Sequence, residues 1–342
     1  MKTVSVIVPV YQVSNYVERC LESVMKQTYK DIECIIIDDA TKDDSIDKCE
    51  RMIGEYDGPI RFLIIHHEHN RGLSAACNSG TDAATGDYLY YLDNDDYISQ
   101  DSIEKLLQPV IADDAIEMVQ GNCLIRCNGS ESLVYKRNSF VPINSNEDAR
   151  TQFLVYHNLY ISVWNKLLKR TFVEENGLYC KEGIVHEDYL WMFYLTKYLK
   201  HAYLSEAVTY YHPIRSGSIV TGTDMRTKGE CFCAIFDDIL HHLTVGYERQ
   251  ELKGYQYIFY KRYLTFVKYA PTFRDTASLY MKCARQYGLW YVYVVIIAVR
   301  TLNLLGNPIA LLEPLNTLRW KVKRWLKKCE DRCKRHGREQ ES

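Results

Sequence analysis

The sequence predicts an α/β fold, a mostly parallel sheet flanked by helices, followed by a mainly helical C-terminal region. Three observations carry this. The first hundred residues alternate between short β-branched runs and segments with helical spacing. Those runs lack alternation of polar and apolar residues, as expected of strands buried on both faces. From about Met225 onward the strand pattern stops.

Val4 to Val10 is the first strand, and Ser14 is a suitable N-cap for a helix in which Val17, Cys20, Leu21 and Val24 recur up to Thr28. Glu33 to Ile37 follows as a strand, Ser45 to Tyr56 as a helix with Ile46, Cys49 and Ile53 inward, and Ile60 to Ile65 as a third strand. Ser74 to Ala84 reads as a small-residue helix and Tyr88 to Leu92 as a fourth strand. Asp101 opens a helix with Ile103, Leu106, Leu107, Val110 and Ile111 on one face, and Ile116 to Gln120 returns as a strand. Residues 122–150 suit irregular strands or a loop; Phe153 to Leu168 and Tyr189 to Tyr198 have helical spacing. No internal repeat or Pro- or Gly-rich linker marks a clean boundary.

Composition excludes several classes. With 342 residues, 47% hydrophobic, 25% charged, 17 Gly and 8 Pro, the chain can bury a sizeable core and is neither disordered nor collagenous. Twelve cysteines scattered through so long a chain point to a reducing cytosol rather than a disulfide framework. Neither Cys231 with Cys233 nor Cys329 with Cys333 has a second pair at zinc spacing. The start, MKTVSVIVPV, reads as a strand and not as a signal peptide. The formal charge is −2, yet residues 319–342 hold ten Lys or Arg against four Asp or Glu, leaving −8 on the rest.

Two acidic clusters end predicted strands: Asp38 and Asp39 after the second, and Asp93, Asn94, Asp95 and Asp96 after the fourth. In a parallel sheet ligands bind outside the carboxyl ends of the strands. Packed carboxylates need a cation or a donor-rich ligand, so a divalent metal with a diphosphate fits; turn formation and helix capping are the alternative.

The motifs VSVIVPVY (Val4 to Tyr11), CLESVMKQTY (Cys20 to Tyr29), CIIIDDATKDDS (Cys34 to Ser45), NRGLSAACNSG (Asn70 to Gly80), GDYLYYLDNDDY (Gly86 to Tyr97) and HEDYLW (His186 to Trp191) resemble, in order and rough spacing, those of the family 2 glycosyltransferases. The resemblance covers about residues 3–215. It implies an inverting, metal-dependent hexosyltransferase with the GT-A, Rossmann-like fold, of the type that builds bacterial surface polysaccharides. Residues 1–222 would be the GT-A domain, with a nucleotide-binding half (1–100) and an acceptor half (101–222); residues 223–342 would be a helical region with a basic amphipathic tail.

By the same resemblance, Pro9 and Tyr11 line the base pocket, and Asp39 accepts a hydrogen bond from the donor's base, commonly uracil. Asp38 is a turn or supporting residue. Asp93 and Asp95 form the DxD pair that meets the ribose and the metal-bound diphosphate, with Asp96 a further ligand to Mn²⁺ or Mg²⁺. Many members carry Arg where this chain has Cys77, which leaves Arg71 or a residue elsewhere to neutralise the diphosphate. Asp188 is the catalytic base and Glu187 supports it; two acids capping a helix at Tyr189 are the alternative reading. Trp164, Asn165 and Lys166 resemble a segment near the acceptor, although Trp164 and Leu167 at helical spacing also suit a core. His212, Arg215 and Ser218, in YYHPIRSGSIVT, would touch the diphosphate, or else form a solvated turn.

Gly288 to Val299 is apolar but shorter than the about 20 residues a bilayer span needs. Leu318 to Lys334 alternates Trp320, Val322, Trp325 and Leu326 with basic residues, which suits a helix on an anionic membrane surface; a solvated tail is the alternative. No nucleic-acid-binding motif accompanies it. The expected partners are a nucleotide-sugar donor, with UDP-sugar favoured, a glycan or lipid-linked glycan acceptor and a membrane surface. The expected place is the cytoplasm, with peripheral contact on the inner face of its membrane. Other readings are a sugar nucleotidyltransferase, which would want a basic Gly-rich loop where VYQVSNY stands, and a non-catalytic glycan-binding scaffold, which would be expected to lack the DxD or the base.

Overall fold

The computed structural model describes residues 2–127, 130–133, 141–214 and 223–242, and beyond these only residues 251, 254, 255, 258 and 262. Arg215, Ser218 and the whole basic tail, Leu318 to Lys334, lie outside the described residues.

The chain builds β1 (Val4–Val10), α1 (Val17–Met25), β2 (Ile32–Asp38), α2 (Ser45–Gly54), β3 (Arg61–His66), α3 (Leu73–Ala83) and β4 (Tyr88–Tyr91). Then come β5 (Tyr97–Ile98), α4 (Ser102–Ala112), β6 (Met118–Cys127), β7 (Ser130–Leu133), β8 (Val141–Ile143) and α5 (Asn146–Leu154). The last described elements are β9 (Lys166–Lys169), α6 (Arg170–Glu175), α7 (Asp188–Tyr198), β10 (Ala202–Pro213) and α8 (Met225–His242). The sheet order is β3-β2-β1-β4-β9-β6-β10-β5, with β7 on β6 and β8 on β10. β3, β2, β1 and β4 are mutually parallel, as are β6 and β10. β9 enters antiparallel between β4 and β6 and joins the two parallel parts.

Alternate side chains of β1 face opposite ways, the period of two that a strand imposes. Val4, Val6, Val8 and Val10 pack with Val17, Leu21 and Val24 of α1 and Leu106 of α4. Ile7 packs on the other face with Ala76 of α3, Phe193 of α7 and the Phe232 and Phe236 region of α8. Because α8 belongs to this second core, the helical region begins as part of the sheet domain. β3 is an edge strand, and its Leu63 is exposed.

Three expectations need correction. Phe153 to Leu168 is not a helix: α5 ends at Leu154, a loop follows, and β9 begins at Lys166. Leu167 and Leu168 are buried toward opposite cores, a strand's arrangement that a short apolar run does not distinguish from helical spacing. Ser14 does not cap α1, whose N-cap is Tyr16; its backbone N–H and hydroxyl donate instead to Asp43 and Asp44. β6 runs seven residues past Gln120, into the stretch expected to be irregular.

The described cysteines with side-chain placement, Cys20, Cys34, Cys49, Cys77, Cys123, Cys180, Cys231 and Cys233, are buried and outside any disulfide. Among the described residues no helix is long and apolar enough to cross a membrane.

Candidate active site

The parallel register, Val10 opposite Asp38 and Asp38 opposite His66, ends β1, β2 and β3 along one edge, with β4 beside β1. Tyr11, Asp39, His67 and Asp93 all lie within two residues of a strand end.

Asp39 is 3% exposed and accepts three hydrogen bonds. Its Oδ1 accepts from His67 Nδ1 at 2.7 Å and from the Arg71 N–H at 2.8 Å, and its Oδ2 accepts from the Gly72 N–H at 2.8 Å. Because a carboxylate only accepts, His67 carries a proton on Nδ1, and its Nε2 meets Ser79 Oγ at 2.9 Å. Neither His67 nor Ser79 was singled out in the sequence; the HHEHN run before NRG was the available signal. Asp38, expected as a turn or supporting residue, has its Oδ1 accepting from the Thr41 N–H at 2.9 Å and its Oδ2 meeting His66. Pro9 is buried and its carbonyl accepts from Asn94 Nδ2, whereas Tyr11 is exposed.

Gly72 explains how two consecutive N–H groups reach one carboxylate. Its φ of 87° and ψ of 167° fall in a region essentially reserved for glycine. Open space surrounds the position of a Cβ, so the cost of adding one is purely conformational. Gly72→Ala is expected to lower stability by about 1–3 kcal/mol and to loosen Asp39. Thermal melting checks this, and an unchanged melting temperature would show that the loop relaxes freely.

At the end of β4, Asp93, Asp95 and Asp96 bring one carboxylate oxygen each within 4.8 Å of one another. Burial, then the charges of Asp96, Asp95, Asp188 and Glu187, push the Asp93 carboxyl well above the usual range. Burial also raises Asp96, whose oxygens accept from His212 Nδ1 at 2.9 and 3.0 Å. The Tyr210 hydroxyl accepts from the Asp93 N–H at 3.2 Å and bonds the Asp96 carboxylate. Hard oxygen donors under mutual repulsion are what a divalent cation requires, so the residues fit one. Asp96 is fully buried and anchored by His212; Asp93 and Asp95 are the more open members.

Glu187 and Asp188 start α7, where the helix dipole favours acids. The preceding loop is clamped to α3: Asn78 donates to the Cys180 carbonyl and accepts from its N–H, each at 2.9 Å, and Tyr179 bonds Asp82. The Arg71 guanidinium pairs with Glu182 at 3.4 Å, so its main chain and not its charge reaches Asp39. Burial pushes both acids up, Glu187 further because Asp188 repels it. Burial, then the charges of Asp93, Glu187 and Asp188, push the Cys77 thiol well above its ordinary value, so it lies near both acidic groups.

The WNK segment sits differently from the acceptor contact expected of it. Asn165 is fully buried; its Oδ1 accepts from the Tyr90 and Thr209 hydroxyls, and its Nδ2 donates to the Gly121 and Asn122 carbonyls. That exhausts a side-chain amide. Lys166 is also fully buried, so neither side chain is open to an acceptor. Trp164 keeps partial exposure and stacks on Tyr210 and His212, with ring centroids 4.4 and 5.7 Å away. Among the described residues, four of the five non-glycine positions with positive φ, Gln12, Ala40, Asn165 and His186, adjoin Tyr11, Asp39, Lys166 and Glu187. Such backbone strain gathers at functional sites.

The sequence profile of glycosyl transferase family 2 matches residues 5–177 of the 342. The chain belongs to this family. Glycosyltransferase GlyA of Streptococcus pneumoniae is 33% identical over 230 residues, 63% of this chain and 31% of that protein. The chain thus spans about a third of that relative's length. A Campylobacter jejuni GalNAc(5)-diNAcBac-PP-undecaprenol beta-1,3-glucosyltransferase is 27% identical over 224 residues, 65% of this chain and 68% of that one. Staphylococcus aureus TarS 1–349, solved with UDP-GlcNAc, has a similar fold, with TM-score 0.60 and 20% identity over 77% of this chain and 73% of that one. The fold expected of a family 2 glycosyltransferase is therefore the fold found.

Proposed function

We propose that this family 2 glycosyltransferase transfers a sugar, with inversion and with a divalent cation, from a UDP-sugar to a hydroxyl of a glycan or lipid-linked glycan in polysaccharide biosynthesis. The observation that carries this is the meeting of Asp93, Asp95 and Asp96 with Glu187 and Asp188 at one sheet edge, close enough for their charges to interact. TarS was solved with UDP-GlcNAc, and the C. jejuni relative's name gives a lipid-linked substrate, both in keeping with this donor and acceptor.

Asp39 still has a lone pair on Oδ2 for the imide N–H of uracil, and Tyr11 and Pro9 border that place. Asp93 and Asp95, backed by Asp96, would hold Mn²⁺ or Mg²⁺, which supplies charge neutralisation for the departing diphosphate. Asp188 takes the proton of the acceptor hydroxyl as its oxygen attacks the anomeric carbon from the face opposite the leaving group. Glu187 supports it, and the partly exposed Trp164 offers an aromatic edge on the acceptor side. The measurement is nucleotide release from a panel of UDP-sugars and from GDP-mannose, with and without Mn²⁺, with the anomeric configuration of the product read by NMR. Mn²⁺-stimulated release of UDP with inversion is expected. Retention, or release of neither nucleotide, would sink the reading.

A further inference from the structure

Lys166 opens β9 and is fully buried, a costly place for an ammonium unless it is compensated. Its Nζ donates to the Ser162 carbonyl and lies 5.7 Å from the Tyr160 ring centroid. The next N–H along, that of Val163, belongs to the same peptide group and donates to Asp188 Oδ1 at 3.1 Å. One peptide plane thus carries a cation on its oxygen and a carboxylate on its nitrogen. Hydrogen bonds in such a chain polarise one another and strengthen in a low-dielectric interior. The Ser162 hydroxyl is buried without a partner, so this segment's tie to Asp188 runs through its main chain.

We propose that Lys166 is a positioning residue for the base, acting through the Ser162–Val163 peptide to hold Asp188 oriented and ionised rather than touching the acceptor. The proposal rests on the reading of Asp188 as base. The other titratable groups that face Asp188 are Glu187 beside it, Asp93 from the β4 end, Cys77 from α3 and Cys180 from the preceding loop, and the Asp188 charge favours the protonated form of each. Burial is what opposes the ionisation of Asp188 itself. Lys166 is the cation that favours it. The influence is mutual, since burial draws the Lys166 ammonium down to about 7 while the Asp188 charge resists.

The test uses the full chain and three variants: Lys166→Met, Asp188→Asn and the two combined. Infrared carboxyl spectra, taken as the difference from Asp188→Asn across pH, isolate the titration of Asp188. Lys166→Met is expected to move its midpoint up by about one pH unit or more, a tenfold loss of ionised carboxylate at a given pH within that window. The same midpoint in both proteins overturns the proposal. Melting supplies a second readout that remains valid if Lys166→Met folds poorly. With the carboxylate also removed, the double variant should recover stability over Lys166→Met, because the two sites are coupled. A double variant no more stable than Lys166→Met assigns the lysine a structural role only and also overturns the proposal. Should Asp188→Asn retain full sugar transfer while the midpoint still shifts, the base assignment fails and the peptide relay stands.

Discussion

Asp188→Asn is expected to lower sugar transfer by about 10²–10⁴-fold, the usual worth of a positioned general base. The substitution is nearly isosteric, and the side-chain carbonyl can still accept from the Val163 N–H, so the fold should survive. On the proposed reading nucleotide binding should survive as well, because the donor is assigned to Asp39 and the Asp93 cluster and not to Asp188. The pH profile sharpens the test. Burial lifts the Asp188 carboxyl from 3.8 to about 6. A base must be unprotonated to act, so transfer should rise with pH through that region. Stability takes the opposite sign: between the ordinary value and the raised one the folded chain holds a proton that the unfolded chain has lost, so stability falls as pH rises. Asp188→Asn should flatten both this acid limb and this part of the melting profile. A variant as active as the wild type at every pH would remove Asp188 from the chemistry.

Asp95→Ala should abolish Mn²⁺-dependent binding of UDP in calorimetric titration. Two carboxylates cannot replace three around a hard cation without added water, and the diphosphate then lacks its counter-charge. Without metal, however, the loss of one like charge beside Asp93 and Asp96 relieves repulsion. The chelated variant should therefore melt as high as the chelated wild type or about one to two degrees higher, what roughly 1 kcal/mol yields in a chain of this size. Mn²⁺ should raise the melting temperature of the wild type alone. Equal Mn²⁺-induced gains in both proteins would show that the cation sits elsewhere.

Much of this site was legible because parallel strands are buried on both faces. Apolar runs such as Cys34 to Ile37 and Tyr88 to Leu92 show where a strand ends, and the acids that follow them, Asp38 with Asp39 and Asp93, fall at the ligand edge. Asp188 was legible only through the resemblance of HEDYLW to the family's base motif, since two acids at a helix start also read as a cap. What stayed hidden is made by side chains that meet across long stretches of sequence. His67 and Ser79 holding Asp39, or Asn165 tying Tyr90 to Thr209, leave no period to read. Phe153 to Leu168 reads as a helix because the apolar residues of a loop and of the four-residue β9, among them Leu159, Val163 and Leu167, recur at helical spacing.

The insertion of β9 governs the order in which the sheet can be completed. β4 and β6 flank a slot that only Lys166–Lys169 fills. During synthesis the apolar edge of β4 emerges 78 residues before its partner, a wait on the order of ten seconds at ribosomal speed. An unpaired central edge is a template for association with other chains. The chain is therefore most exposed to aggregation while half made, and a fragment cut after α4 would keep that hazard permanently.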